Sequence, residues 1–387
     1  MKFSKRIEDI SPYFFSNIVP LCSSLNDIIN LASGDPDLPP PYEVIEELKK
    51  ALLEKDFHKY PPYLGIMRLK EKISEWMSRR FNVELDPERE VITMRGTKNA
   101  ILQLLLALCD KGDYVIVPNP YYPTYRVSVK FVGAFSVDVP LDCKNDFLPD
   151  LEVLKPSILR KTKAMILNYP NNPTGKRAEK EFFSEIVNFC SKWGIILIHD
   201  NPYSEVFENS PPPSILEVDG AKNIAVELHS FSKTYNMQGF RIGWVCGNRK
   251  ILQALSVIKT NTEIGVFYPI QRAAIKALEI YDKFVPKMRH LYKKRRRLLK
   301  DFLDMTDCYY LDADSTLYVW TKINYEINKS TDFIINLLKK YGVWITPGVI
   351  FGKYGEGFVR FSITQPEGKI KEGMRKFIKY LKEQQRN

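Results

Sequence analysis

Four short runs of β-branched and other apolar residues mark the chain between positions 91 and 198: Val91-Ile92-Thr93, Tyr114-Val115-Ile116-Val117, Ala164-Met165-Ile166-Leu167 and Ile195-Ile196-Leu197-Ile198. Between them lie stretches with helical character, among them Asn99 to Cys109 and Glu179 to Trp193. This alternation predicts the α/β class, with a mostly parallel central sheet flanked by helices on both faces. Ligands of such sheets collect at the carboxyl ends of the strands. The residues that follow the runs are polar or conformationally special: Arg95-Gly96-Thr97-Lys98, Pro118-Asn119-Pro120-Tyr121-Tyr122-Pro123, Asn168-Tyr169-Pro170-Asn171-Asn172-Pro173-Thr174-Gly175 and His199-Asp200-Asn201-Pro202-Tyr203. They are expected to converge on one cleft.

After Pro269 a helical pattern runs toward Leu303, and strand signals follow at Leu317 to Trp320, Val343 to Ile345 and Phe358 to Ile363. The pattern predicts a smaller α/β domain reached through a connecting helix. The expected units are an N-terminal segment, 1–45, packed with the small domain, a large domain, 46–285, and a small C-terminal domain, 286–387. Two proline-rich pieces, Asp37-Leu38-Pro39-Pro40-Pro41 and Ser210-Pro211-Pro212-Pro213, suit stiff loops rather than linkers.

With 387 residues, 44% of them hydrophobic, the chain can bury a large core. No stretch approaches the roughly 18 apolar residues of a membrane span, and no apolar signal core follows Met1-Lys2-Phe3-Ser4-Lys5-Arg6, so a cytoplasmic protein without a membrane partner is expected. The six cysteines, Cys22, Cys109, Cys143, Cys190, Cys246 and Cys308, show no C-x-x-C spacing, which argues against a disulfide framework or a metal site. The net charge of +11 includes the block Lys293-Lys294-Arg295-Arg296-Arg297. That block continues an apolar rhythm through Phe284, Met288, Leu291, Leu298 and Leu299, so most of its charges are expected on the wet face of a long helix, and nucleic acid is not an expected partner.

The chemistry centres on Lys233. It follows the apolar run Ile224-Ala225-Val226-Glu227-Leu228, sits in Ser230-Phe231-Ser232-Lys233, and precedes Arg241 in Gly239-Phe240-Arg241-Ile242-Gly243-Trp244. An amine at a strand end beside hydroxyls and an arginine fork suits an aldehyde cofactor that carries phosphate. Taken in order, Asn171-Asn172-Pro173-Thr174-Gly175, Asp200-x-x-Tyr203, Ser230-x-Ser232-Lys233 and Arg241-x-Gly243 resemble the class I and II aminotransferases, the pyridoxal-phosphate enzymes of aspartate-aminotransferase fold. The resemblance extends from Leu31 to Tyr380.

The resemblance implies pyridoxal 5'-phosphate held by Lys233 as a Schiff base, with Asp200 at the ring nitrogen, where a carboxylate keeps the ring protonated and able to accept electrons. It assigns Asn172 and Tyr203 to the ring hydroxyl oxygen and Tyr122 to the ring face. Gly96, Thr97 and Lys98 open a helix whose free N–H groups favour an anion, Ser230 and Arg241 complete that phosphate cradle, and Ser232 is a further cofactor-binding residue. Tyr60, in Tyr60-Pro61-Pro62-Tyr63-Leu64-Gly65, matches a tyrosine that reaches the neighbouring subunit's phosphate, which implies a homodimer with shared sites. Arg360, in Phe358-Val359-Arg360-Phe361-Ser362-Ile363, matches the clamp on the substrate carboxylate, and Gly34 matches the segment that closes over the substrate.

The activity so implied is a ping-pong transfer of an amino group from an L-amino acid to a 2-oxo acid, with 2-oxoglutarate as the acceptor. Glu227 to Met237 and Gly265 to Ala274 are similar to the branch that holds LL-diaminopimelate and alanine aminotransferases, with aspartate as a further candidate donor. Two rivals share the fold: a β-eliminating C–S lyase, and an effector-binding domain of a transcription regulator, for which the chain is expected to lack an attached DNA-binding domain. One departure stands out. Asp312-Ala313-Asp314-Ser315-Thr316-Leu317-Tyr318 occupies a place where the family often has Pro-x-Gly.

Overall fold

The structure, a computed structural model, describes residues 4–7, 10, 27–324 and 329–384. After the short strand Ile29–Asn30 (β1), the chain builds a seven-stranded sheet from Val91–Met94 (β2), Tyr114–Asn119 (β3), Phe135–Pro140 (β4), Thr162–Leu167 (β5), Ile196–Asp200 (β6), Ala225–Ser230 (β7) and Gly243–Gly247 (β8). Their order across the sheet is β2-β8-β7-β6-β5-β3-β4. Neighbours pair in parallel except at β8, which runs against both β2 and β7.

The apolar runs are uninterrupted because both faces of this sheet are covered. Met165 and Leu197 pack into one cluster with Phe183, Ile186 and Val187 of the helix Lys180–Trp193. Their strand neighbours Ile166 and Ile198 pack into the opposite cluster with Ile101, Leu104 and Leu105 of the helix Thr97–Leu108. Gly194 ends the helix Lys180–Trp193 in the left-handed conformation, and its amide donates to helix carbonyls before the chain turns into β6.

A four-stranded antiparallel sheet follows, built from Tyr309–Tyr310 (β9), Tyr318–Lys322 (β10), Thr346–Pro347 (β12) and Phe358–Ser362 (β13) in the order β12-β13-β10-β9, while Val343–Trp344 (β11) pairs in parallel with β1. The helical stretch expected to run on to Leu303 divides at Ile280 into Tyr268–Glu279 and Tyr281–Leu303, because Ile280 leaves helical geometry while the apolar rhythm continues across it. The second helix begins against the large-sheet cluster through Tyr281 and Val285. It ends against a separate cluster through Met288, Tyr292, Leu299 and Leu303.

Lys293, Lys294 and Arg297 are exposed, as expected of the basic block, but Arg295 and Arg296 point inward and are 4% and 1% exposed. Each meets a carboxylate far away in sequence, Asp37 and Glu208 respectively. Cys109, Cys190, Cys246 and Cys308 are buried free thiols and Cys143 is an exposed one, while Cys22 lies outside the described residues. Among the described residues no helix is long and apolar enough to cross a membrane.

Candidate active site

The carboxyl ends of the parallel strands open into a cleft of about 470 Å³ that also meets the small sheet and the segment after β1. Twelve of the expected site residues line it: Gly34, Thr97, Lys98, Tyr122, Asn172, Asp200, Tyr203, Ser230, Ser232, Lys233, Arg241 and Arg360. Gly96 lies just behind. It is the N-cap of the helix Thr97–Leu108 at φ 82°, and a Cβ there would stand 2.5 Å from Arg241 Nη2, so both its conformation and this close approach require glycine. Tyr60 stands apart from the cleft and is 85% exposed.

Asp200 ends β6 and is 3% exposed. Its Oδ2 accepts from the Tyr125 hydroxyl at 2.7 Å, and its Oδ1 has no hydrogen-bond partner. Burial raises its carboxyl to about 6, against the opposing effects of Tyr125, His199 and the Thr97 hydroxyl. A buried, unpartnered carboxylate oxygen is a place for a cationic N–H.

Lys233 Nζ donates to the carbonyl of Gly34, and burial lowers its pKa, helped by Arg241 and Arg360 and opposed by Tyr318 and Asp35. A Cβ on Gly34 would fall 1.8 Å from the Tyr318 hydroxyl, so only glycine lets this segment approach so closely. Ser230 Oγ accepts from the Ser232 amide at 3.1 Å. The helix Thr97–Leu108 has no acidic residue in its first turn and no side-chain cap, and Arg241 forms no ion pair among the described residues. Together these donors form a cradle for an anion.

Arg360 is 3% exposed and likewise has no carboxylate partner among the described residues. Its Nη1 donates to Asn172 Oδ1 at 2.7 Å, its Nη2 donates to Ala32 O at 2.7 Å, and its Nε is unpartnered. The guanidinium lies 3.8 Å from the centroid of the Tyr318 ring. Charge held this deep without neutralisation suits a substrate carboxylate.

Several residues here were not singled out by the sequence pattern. Tyr125 holds Asp200, and the Tyr318 hydroxyl lies 3.0 Å from that of Tyr203. Asn168 donates to Asp200 O at 2.7 Å and accepts from the Asn172 amide at 2.8 Å, which ties two site loops together. Beneath them Glu227 is fully buried, with His199 Nδ1 at 3.1 Å, His229 Nε2 at 2.6 Å and the Ser214 hydroxyl at 2.7 Å. Burial would raise its carboxyl, but His229 and His199 hold it well below the usual range. Asn168 heads a strand-end run already expected at the cleft, though the sequence pattern assigns it no role; nothing local marks Tyr125 or Tyr318.

The departure from Pro-x-Gly has a physical substitute. Lys300 Nζ donates to Asp312 Oδ1 at 2.6 Å and to Ala313 O at 2.9 Å, and Asn209 donates to Asp314 Oδ2 at 3.2 Å. Arg296 donates to the carbonyls of Asp314 and Thr316, and Thr316 takes the left-handed conformation at φ 68°. Basic side chains hold the loop.

The family pattern of aminotransferase class I and II matches residues 26–377. The chain belongs to this family. The aminotransferase is 39% identical over 386 residues to an LL-diaminopimelate aminotransferase of Aquifex aeolicus, covering 98% of this chain and 99% of the relative. It is 41% identical over 382 residues to LL-diaminopimelate aminotransferase 2 of Trichormus variabilis, covering 97% and 98% of the two chains. Among solved structures, substrate-bound BacF from Bacillus subtilis superposes with a TM-score of 0.95 at 34% identity over 98% of each chain. An aspartate aminotransferase from Thermus thermophilus with maleate gives 0.92 at 27% identity, covering 98% of this chain and all of that one.

This aminotransferase uses pyridoxal phosphate, as its family does, and the residues present fit that group. The lone Oδ1 of Asp200 suits a protonated ring nitrogen, and the cradle of Gly96, Thr97, Ser230 and Arg241 suits a phosphate.

Proposed function

We propose that this aminotransferase takes the amino group of LL-diaminopimelate and passes it to a 2-oxo acid, 2-oxoglutarate, at a single cleft. Identity of 39% and 41% over nearly the full length of two LL-diaminopimelate aminotransferases carries the choice of donor. The buried, carboxylate-free Arg360 supports binding through an α-carboxylate.

Pyridoxal phosphate, when bound, supplies an aldehyde carbon that links to amino groups and a ring that accepts the electron pair left at the substrate Cα. Lys233 would be its covalent anchor in the resting enzyme. With its amine free, its Nζ would take the proton from the substrate Cα and hand it on, a role that needs a neutral amine. The lowering of its pKa by burial favours that state. Asp200 would keep a proton on the ring nitrogen, Asn172 and Tyr203 would donate to the ring hydroxyl oxygen, and Tyr122 would cover the ring face. Backbone N–H groups of Gly96, Thr97 and Lys98, with Ser230 and Arg241, would hold the phosphate, and Ser232 would lie beside them. Gly34 brings its segment over the substrate while Arg360 clamps the carboxylate.

The reading extends to a cytoplasmic homodimer in which Tyr60 reaches the neighbouring subunit's phosphate site. The exposure of Tyr60, Leu53 and Tyr42, at 85%, 88% and 72%, supports a covered surface there. The division into 1–45, 46–285 and 286–387 is supported by the separate apolar clusters that the helix Tyr281–Leu303 joins and by the pairing of β1 with β11.

A half-reaction panel tests the donor. Cofactor-loaded enzyme is mixed with LL-diaminopimelate, alanine, aspartate, aromatic amino acids and cystathionine, and conversion of the cofactor to its amine form is followed by absorbance. LL-diaminopimelate is expected to react fastest. Faster reaction with alanine or aspartate would overturn the donor assignment, and pyruvate from cystathionine without amine formation would point to elimination. Lys233→Ala is expected to abolish both turnover and the covalent link.

A further inference from the structure

Asp37 and Arg295 stand 258 positions apart and meet as a fork, with Arg295 Nη1 and Nη2 each 2.8 Å from a different carboxylate oxygen. Neither lines the cleft. Asp37 instead ends the strap Ser33-Gly34-Asp35-Pro36-Asp37, whose first three residues form one wall of the cleft. The upstream end of the strap is secured by strand pairing: Leu31 N donates to Trp344 O at 2.8 Å, and Ser362 N donates to Leu31 O at 2.7 Å.

Among the described residues, the downstream end joins no sheet. Two neutral side-chain bonds reach it, from Gln238 to Pro36 O at 3.0 Å and from Asn236 to Pro39 O at 3.3 Å. The Arg295 fork is the charged contact there. Paired, charge-assisted bonds to both carboxylate oxygens fix distance and orientation together, which a single neutral bond does not. Between the two anchors Ala32, just before the strap, presents its carbonyl to Arg360, and the strap presents the Gly34 carbonyl to Lys233. Its position therefore bears on both ends of the substrate amino acid, the carboxylate and the reacting amine.

We infer that Arg295 and Asp37 are positioning residues that hold the Ser33–Asp35 strap against the cleft and so set how tightly the amino-acid substrate is bound. The inference rests on membership of the aminotransferase family and holds for any donor. Arg295 comes from the basic block that the sequence pattern places on a wet helix face, and its 4% exposure is the sign of this second use.

The test compares Asp37→Asn, Arg295→Lys and the double variant Asp37→Asn/Arg295→Gln with wild type, using the donor that wild type converts best in the panel. Each enzyme is loaded with cofactor and its sites are counted by bound cofactor, so unfolded material does not enter. A lysine keeps the charge but loses the fork. All three variants are expected to raise KM about tenfold, with kcat within about twofold and the cofactor absorbance spectrum unchanged, the split expected when substrate binding alone is weakened. The double variant removes both charges, leaves no unpaired ion, and is expected to match the single variants rather than multiply their effects. A wild-type KM in the double variant, or a fall in kcat at unchanged KM, would overturn the inference.

Discussion

Arg360 and Asn172 meet across the cleft, where Arg360 Nη1 donates to Asn172 Oδ1 at 2.7 Å. One sits on β13 of the small sheet and the other in the loop after β5 of the large sheet, so this hydrogen bond, like that between Tyr203 and Tyr318, ties the two sheets together at the cleft. Arg360→Lys keeps the charge but gives up the planar fork. It is expected to lower kcat/KM for amino acids by about 10–100-fold, equivalent to roughly 1.4–2.8 kcal/mol, mainly through KM. Steady-state kinetics check this, and cofactor affinity should stay near wild type.

Asp200 predicts opposite stabilities with and without cofactor. In the cofactor-free protein its carboxyl is raised from 3.8 to about 6, so the folded state binds the proton more tightly than the unfolded state. Its favourable contribution is therefore complete below the unfolded value and is lost as pH rises through about 6. At pH 7.5 Asp200→Asn should stabilise the cofactor-free enzyme by about 1–3 kcal/mol, because a buried charge is removed. With cofactor bound, the same variant should be inactive and gain less stability from the ligand than wild type. Urea denaturation of both forms at pH 5 and pH 7.5 decides it, and the advantage should shrink at pH 5.

Glu227 carries the reverse sign. Its carboxyl is held well below 4.5, so its stabilisation is present above that value and is lost as pH falls through the depressed one. Glu227→Gln leaves His199 and His229 facing an amide in a sealed interior. The expected loss is about 3–5 kcal/mol at pH 7, read from denaturant midpoints, with a smaller difference at pH 4. His199 and His229 directly precede Asp200 and Ser230, so weaker cofactor binding should accompany the lost stability.

Much of this architecture was legible in the sequence because the central strands are buried on both faces, which makes runs such as Ala164 to Leu167 continuously apolar, and because site residues follow strand ends. Phe135–Pro140 escaped notice because it is an edge strand with only Val139 fully covered, and Gly243–Gly247 because glycines bound it. Helical periodicity assigned the basic block to solvent, yet the carboxylate that draws Arg296 inward is 88 positions away. Tyr125 is equally hidden: it lies in the helix Thr124–Phe131, and its partner Asp200 lies 75 positions on. Local patterns report which face is apolar. They do not report a charge paired across the fold.

Arg296 gives the clearest consequence of such pairing. Its guanidinium, 1% exposed, binds the carbonyls of Asp314 and Thr316 and the carboxylate of Glu208, and so sets the loop that delivers Tyr318. Thr316 holds a left-handed conformation unfavourable for a β-branched residue, and its Oγ1 accepts the Tyr318 amide at 3.2 Å. Arg296→Met removes every donor at once and leaves Glu208 without its partner. It should destabilise the protein by about 3–5 kcal/mol in denaturant titrations. Freed of Arg296, Thr316 should relax toward an ordinary conformation and draw the Tyr318 ring away from Arg360. The surviving folded enzyme, counted by bound cofactor, should then show a kcat/KM lowered about tenfold. Thr316→Gly in the same background separates the two effects, since glycine holds the left-handed conformation without the side-chain penalty. Partial recovery of kcat/KM with little recovery of stability is expected, and full recovery of both would show that Arg296 serves only to overcome strain at Thr316.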